Sequence, residues 1–252
     1  MLSKNDINRI KEIILGASDI ATDIANSGIE VTIKSDGSPV TNGDIAVSKY
    51  IMEHLSVLSD LPIISEEEEI PLGFGRNFWL VDPIDGTRSY IKGEPLYTVN
   101  IGLILDGIPV FGFVKNPATG HLYYTSETGE MIIECQGEQV FCNSDARDLK
   151  AVISTHASSS IKDIMAQHDI TSYEVIPGAI KFCIIASGDA DLYPRHGNTM
   201  EWDTAAGHAL IRAVGGEIFD LEGGVLQYGK PELLNKGFIA YSKRLLGNDS
   251  PR

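Results

Sequence analysis

The sequence predicts a layered α/β fold in two halves, and three observations carry the prediction. Apolar residues recur at helical spacing through the N-terminal segment. From Pro62 to Val140 short β-prone runs follow one another, broken by turn dipeptides. Beyond Asp148 strand and helix signals alternate, which favours a second α/β half with layers of its own. The boundary is therefore placed near Asp148, giving residues 1–147 and 148–252.

The elements follow in order. Ile7, Ile10, Ile14, Ala17, Ala21 and Ile24 fall near one helical face, and Ser3 with Asp6 three residues later makes a capping pair for that helix. A second helix starts near Thr41, again with an acid three residues on at Asp44, and carries Ile45, Ile51 and Leu55 inward. Ile63-Ile64, Phe78 to Val81, Val99 to Ile104, Val110 to Val114 and His121 to Thr125 read as strands. Asp106-Gly107, Asn116-Pro117 and Thr128-Gly129 read as turns, and such closely spaced hairpins favour an antiparallel sheet. In the second half, the strand Ala151 to Ile153 precedes a helix from Ser160, and the strand Tyr173 to Ile176 precedes a helix through Lys181 to Ala186. Asp191-Leu192-Tyr193 then leads to a helix opening at Asp203.

Composition narrows the function. The chain has 252 residues, 43% of them hydrophobic, enough to bury a sizeable core. No apolar run is long enough to cross a bilayer, and the polar N-terminus lacks the apolar stretch of a signal peptide, so a soluble, cytoplasmic protein is expected. With 35 acidic against 20 basic residues the formal net charge is -15, a balance that repels nucleic acid and anionic membranes. A small anionic substrate stays compatible if metal ions or a local basic cluster deliver it. Cys135, Cys142 and Cys183 form a sparse, odd set without a CxxC pair, which points to reduced thiols and away from a disulfide frame or a zinc site.

Three segments carry acids in patterns suited to chemistry. In Trp79-Leu80-Val81-Asp82-Pro83-Ile84-Asp85-Gly86-Thr87 a buried strand runs into an acid, a proline that ends the ladder, and a second acid. Asp82, Asp85 and the Ile84 carbonyl can converge on one point, while Gly86-Thr87 can open a helix toward a phosphate. All these donors are hard oxygens, which suits magnesium over zinc. A lone pair of acids at this spacing is more often a turn with a helix cap. Ser65-Glu66-Glu67-Glu68-Glu69 follows a strand, so Glu66 and Glu67 can join the first two acids while Glu68 and Glu69 stay in solvent. Asp203 heads the small-residue stretch Thr204-Ala205-Ala206-Gly207, either as an ordinary N-cap or as a further ligand, and both tryptophans, Trp79 and Trp202, adjoin these acids as candidate walls of a partly dry site. Carboxylates gathered this way must take up protons or bind cations. Two magnesium ions about 4 Å apart would clamp a phosphate ester and activate a water.

Asp82-Pro83-Ile84-Asp85-Gly86-Thr87, Ser65-Glu66-Glu67 and Trp202-Asp203-Thr204-Ala205-Ala206-Gly207 together resemble the signatures of the inositol monophosphatase superfamily, the metal-dependent, lithium-sensitive phosphatases, over nearly the whole chain. The resemblance implies an αβαβα layered fold and a site with two or three magnesium ions. It implies that Glu66, Glu67, Asp82, the Ile84 carbonyl, Asp85 and Asp203 hold metal, and that Glu66 and Thr87 position and deprotonate the attacking water. It also implies that Asp44 accepts a hydrogen bond from Thr87, a role compatible with capping its own helix. Tyr97 to Ile104, Lys181-Phe182-Cys183, Leu192 to Arg195 and Thr199 to Ala209 look most like the 3'(2'),5'-bisphosphate nucleotidase branch, which converts adenosine 3',5'-bisphosphate to AMP and serves sulfur assimilation. By that likeness Gly86, Thr87, His156, Gly178, Lys181, Arg195 and Asp203 would contact the substrate, and a homodimer is the expected assembly. The chain departs from the branch at Pro177-Gly178-Ala179, at Ser154-Thr155-His156 and in the short Gly93-Glu94-Pro95 loop, which bears on nucleotide recognition and leaves the metal ligands untouched. An inositol-phosphate or other sugar-phosphate monoesterase is the alternative within the class, and a non-catalytic ligand-binding regulator the alternative outside it.

Overall fold

Reciprocal capping starts the first two helices. In the computed structural model, which describes residues 1–141, 148–155 and 159–248, Ser3 caps α1 (Lys4–Ser27) and its amide donates back to Asp6 at 2.9 Å. A hairpin of β1 (Val31–Ile33) and β2 (Pro39–Thr41) follows. Thr41 then caps α2 (Asn42–Leu58), with Asp44 accepting from the Thr41 amide at 2.8 Å. Each box satisfies amides that a helix start leaves without partners. The buried stripe of α2 is Asp44, Val47, Ser48, Ile51 and Leu55. Ile45, expected inward, is 51% exposed, because one residue turns the helix by about 100° away from the stripe begun at Asp44.

The first half builds a seven-stranded sheet. β3 (Ile63–Ser65) runs parallel to β4 (Phe78–Asp85), and the single-turn α3 (Thr87–Ile91) follows β4 directly. β5 (Thr98–Leu105), β6 (Ile108–Lys115), β7 (His121–Thr125), β8 (Met131–Cys135) and β9 (Glu138–Val140) then add in sequence order, each antiparallel to the last. The second half alternates β10 (Lys150–Ile153), α4 (Ser159–Gln167), β11 (Ser172–Val175), α5 (Ile180–Ser187), β12 (Leu192–Arg195), β13 (Thr199–Met200) and α6 (Trp202–Ala213). It closes with β14 (Glu217–Phe219), β15 (Leu234–Asn235), β16 (Phe238–Tyr241) and α7 (Lys243–Asn248). Its five strands lie in the order β11-β10-β12-β16-β14, and β13 pairs with β15 as a separate ladder. No helix among the described residues is long and apolar enough to cross a membrane.

Strand alternation sorts the core into layers. Along β4, Trp79 and Val81 pack with α1 and α2, whereas Phe78 and Leu80 face α5 and α6. The same α5–α6 layer meets Val152, Tyr193, Phe238 and Ala240 of the second sheet, whose far face packs on α4 and α7 through Ile161, Met165 and Leu245. The order is therefore α, β, α, β, α, as expected.

The middle layer depends on bare backbone. Gly102 and Gly112 stand opposite each other on β5 and β6, directly beneath α6. A methyl group on Gly102 would come within 2.9 Å of the Ala206 amide nitrogen, and one on Gly112 would overlap the Ala206 carbonyl. On its other side Gly207 lets α6 approach the Phe182 ring. Gly112→Ala is expected to push α6 outward and cost about 1–3 kcal/mol, read as a lower urea midpoint with an unchanged slope.

Candidate active site

Pro83 interrupts the pairing of β4 with β5, and the register shifts between Asp82, opposite Asn100, and Asp85, opposite Thr98. The break brings both acids to one end of the strand. Asp203 reaches the same place from the first turn of α6, and one carboxylate oxygen from each of the three lies within 4.8 Å of the others. The sequence reading offers Asp203 as an N-cap or a ligand. Glu201 holds the cap position, and Asp203 is the second helical residue, accepting from the Met200 amide at 2.8 Å. Asp85 accepts from the Ala179 amide, which ties β4 to the start of α5.

The cluster is built for a cation. Asp82 is 1% exposed and its Oδ1 has no hydrogen-bond partner among the described residues. Thr98 Oγ1 and both side-chain polar atoms of Asn100, on the strand facing Asp82 and Asp85, are likewise buried and unpartnered. Polar groups stranded in this way cost free energy unless something polar or charged meets them. An oxygen-only donor set of aspartates fits a hard divalent ion such as magnesium.

Around the triad, the end of β3 delivers Glu66 and Glu67. The Glu66 amide continues the pairing of β3 with β4 by donating to the Val81 carbonyl at 3.2 Å. Lys34, from the β1–β2 hairpin, lies 3.2 Å from Glu66 Oε1 and 2.7 Å from Glu67 Oε1. Glu68 and Glu69 are exposed, as expected. Thr87 opens α3 behind Gly86, whose left-handed backbone (φ 86°) sits against the Leu96 carbonyl with no room for a side chain. The Thr87 hydroxyl lies 3.2 Å from both Asp44 Oδ1 and the Ile84 carbonyl, so Asp44 caps α2 and accepts from Thr87 with its two oxygens.

Burial dominates the electrostatics. It raises Glu66 to about 7, helped by Glu67 and opposed by Lys34. It raises Asp203 to about 8, helped by Asp85 and opposed by the Met200 amide. Asp82 rises well above the carboxylate range for the same reason, with Glu66, Asp85 and Asp203 adding to it. In Asp85 burial also wins, against the Ala179 amide and the charges of Lys181 and Arg195.

Beside the acids an inner pocket of about 230 Å3 is lined by Asp85, Gly86, Gly178, Lys181, Arg195 and Asp203. It shares Gly178, Lys181 and Arg195 with a cleft of about 1140 Å3 that adds Arg88, Lys92 and His196. Lys181 is buried, donates to the Gly178 carbonyl and lies 4.9 Å above the Tyr193 ring. Arg195 donates to Ser154 Oγ at 3.1 Å, and its buried Nε has no partner among the described residues. His156 lies outside the described residues. The sequence reading missed Lys34, Arg88 and Lys92; the spacing of Arg88 and Lys92, one turn apart immediately after Thr87, was the available signal. The tryptophans are not walls of this site: Trp79 faces α1 and α2 and donates to Ser59 at 3.0 Å, and Trp202 packs in the layer between the sheets.

With this geometry in place, the sequence profile of the inositol monophosphatase family matches residues 6–248. The chain belongs to the inositol monophosphatase family. As a member it is a phosphatase, a phosphoric monoester hydrolase. It is 41% identical over 221 residues to the 3'(2'),5'-bisphosphate nucleotidase CysQ of Shigella flexneri, covering 83% of this chain and 88% of that one. The nucleotidase CysQ of Haemophilus influenzae is 31% identical over 225 residues, covering 84% and 83%. The crystal structure of CysQ from Bacteroides thetaiotaomicron superposes with a TM-score of 0.81 at 30% identity, covering 96% of this chain and 98% of that one. An IMPase of Thermotoga maritima shares the fold at a TM-score of 0.76 and 19% identity, covering 97% and 94%.

The raised acids fix a pH dependence for this family member in the absence of metal. A carboxyl whose folded value is raised holds its proton more tightly folded than unfolded. Its stabilising contribution is full at low pH and is lost as pH climbs from the unfolded to the folded value. For Glu66 that window runs from 4.5 to about 7, and for Asp203 from 3.8 to about 8. Thermal melts in chelator are expected to show Tm falling between about pH 5 and pH 8, and added magnesium is expected to raise Tm most at the alkaline end.

Proposed function

We propose that this phosphatase removes the 3'-phosphate of adenosine 3',5'-bisphosphate, leaving AMP, with magnesium in the acidic cluster. The observation that carries the reading is the junction of two opposite sites: buried carboxylates at the strand ends, opening into a cleft lined by Arg88, Lys92, Lys181 and Arg195 in a chain of net charge -15. The acids suit cations that grip the phosphate to be removed. The cleft suits a body carrying a second phosphate, which a sugar monophosphate lacks. The CysQ relatives support the same substrate class.

The roles follow from placement. Asp82, Asp85, Asp203, Glu66, Glu67 and the Ile84 carbonyl hold magnesium. Bound there, the ions supply Lewis-acid charge that acidifies a water and offsets charge on the leaving oxygen. The Thr87 hydroxyl, donating to Asp44, would turn lone pairs toward the attacking water, and Glu66 would take that water's proton. Gly86 brings the backbone within reach of the phosphate, while Gly178, Lys181 and Arg195 line the path of the nucleotide. Residues 1–147 thus contribute most of the metal ligands, and 148–252 the last ligand and the substrate contacts.

Phosphate release is to be compared at equal concentrations of adenosine 3',5'-bisphosphate and inositol 1-phosphate. A large preference for the nucleotide is expected, abolished in Asp85→Asn with the fold retained by circular dichroism. Arg195→Ala is expected to raise KM for the nucleotide about tenfold or more and to spare inositol 1-phosphate. Millimolar lithium is expected to suppress turnover. Preference for inositol 1-phosphate would overturn the substrate assignment, and activity surviving in Asp85→Asn would overturn the site.

A further inference from the structure

Asp203 needs an anchor. It is delivered by the first turn of α6, and among the described residues its Oδ2 is engaged only by the Met200 amide just before it, a contact that would move with the helix. What holds that turn in place lies next to it. Glu201 occupies the N-cap position, yet its carboxylate makes no bond to the helix amides. It is fully buried, and the partners of its carboxylate among the described residues all belong to a different segment. Oε2 accepts from the Gly229 amide at 2.7 Å, while Oε1 accepts from the Lys230 amide at 3.0 Å and the Lys230 ammonium at 2.7 Å.

The segment from Gln227 to Asn235 acts as a strap across the helix start. Gly229, at φ 87°, turns the chain so that two successive amides face one carboxylate, an arrangement that binds anions well. Tyr228 and Asn235 both donate to Thr204 Oγ1 at 3.1 Å, and Thr204 donates to the Glu201 carbonyl at 3.1 Å. Asn235 also reaches the Met200 carbonyl at 3.3 Å, and the Glu201 amide donates to Leu233 at 2.7 Å. The residues on either side of Asp203 are therefore fixed to the strap, and Glu201 is the one charged link, with Lys230 balancing its charge.

We propose that Glu201, clamped by Gly229 and Lys230, is a positioning residue that sets Asp203 for metal binding. The inference rests on the reading of Asp203 as a metal ligand. Residues behind a ligand commonly change metal affinity by about 10–100-fold.

The test is calorimetric binding of manganese(II) alone to the full chain after chelator treatment, so that no substrate or turnover enters. Glu201→Gln keeps the size and removes the charge; its manganese affinity is expected to fall about tenfold, with kcat at saturating metal within about twofold of the parent and KM for the ion raised. Lys230→Arg is expected to bind as the parent does, and Lys230→Met, whose backbone donors remain, to fall between. Lys230→Met also serves if Glu201→Gln does not fold, because the lysine side chain is partly exposed. Unchanged manganese affinity in Glu201→Gln, or in Lys230→Met where that variant stands in, would overturn the proposal even if Tm drops, since that is the signature of a purely structural tie. Asp203→Asn is the control: if it too binds manganese normally, the assignment of the metal site fails, and if it alone weakens, only the role of Glu201 fails.

Discussion

The structure is organised around an electrostatic conflict. Asp82, Asp85 and Asp203 place three carboxylates within 4.8 Å of one another, Asp82 fully buried and the other two at the edge of a pocket, and Glu66 lies close enough to add to the charge. Without a cation the cluster is relieved only by holding protons that aspartates do not keep at neutral pH. The strain is local and the fold around it is well satisfied: Asp44 has four hydrogen-bonding contacts from Thr41 and Thr87 and its own amide, and Lys34 offsets Glu66 and Glu67. Four of the buried polar atoms left without partners among the described residues fall on Asp82, Thr98 and Asn100, with Asp82 opposite Asn100 and Asp85 opposite Thr98 on adjacent strands. A fold selected only for stability would fill such positions with apolar side chains.

Gathering acids from distant parts of the chain demands stiff scaffolding. Two of the three aspartates share β4, but Asp203 arrives from the opposite half on α6. That helix is seated by absence of side chains: Gly102 and Gly112 on the sheet below, Ala205, Ala206 and Gly207 on its own faces. Close backbone contact leaves α6 little freedom to slide, because each displacement meets main-chain atoms and not deformable side chains. The layer that forms the core between the sheets is therefore also the one that aligns the site.

Much of this was legible in the sequence, for reasons that differ by element. The two capping boxes are local and announce themselves as Ser3/Asp6 and Thr41/Asp44. The hairpins of the first sheet carry turn dipeptides, and the Asp-Pro-Ile-Asp-Gly-Thr run signals a strand that stops abruptly. The small-residue stretch at the start of α6 was visible in the sequence, though not the sheet and the Phe182 ring that it packs against. Ile45 was misplaced because hydrophobicity alone does not settle which side of a half-buried helix faces in; Asp44 and Ser48, polar and buried, hold the stripe. Alternation along a strand turns Trp79 away from Asp82 into the layer beneath α1 and α2, and on α6 Trp202 faces the layer between the sheets although it adjoins Asp203 in sequence. Lys34, Arg88 and Lys92 carry charges whose meaning depends on which cavity they line, and no local pattern conveys that.

Net charge and local charge make opposite statements, and the geometry reconciles them. An excess of fifteen negative charges repels an anionic substrate at long range, but salt screens that repulsion beyond about 10 Å. Inside the cleft four cations, Arg88, Lys92, Lys181 and Arg195, outnumber the one lining acid, Glu94, and low-dielectric walls strengthen their pull on an anion that enters. The same cations oppose the rise of the Asp85 value, Lys181 and Arg195 both acting on it, so they stabilise the ionised form of a ligand as well as attracting the phosphate. The cleft and the acidic cluster are thus one electrostatic unit, joined through Gly178, Lys181 and Arg195.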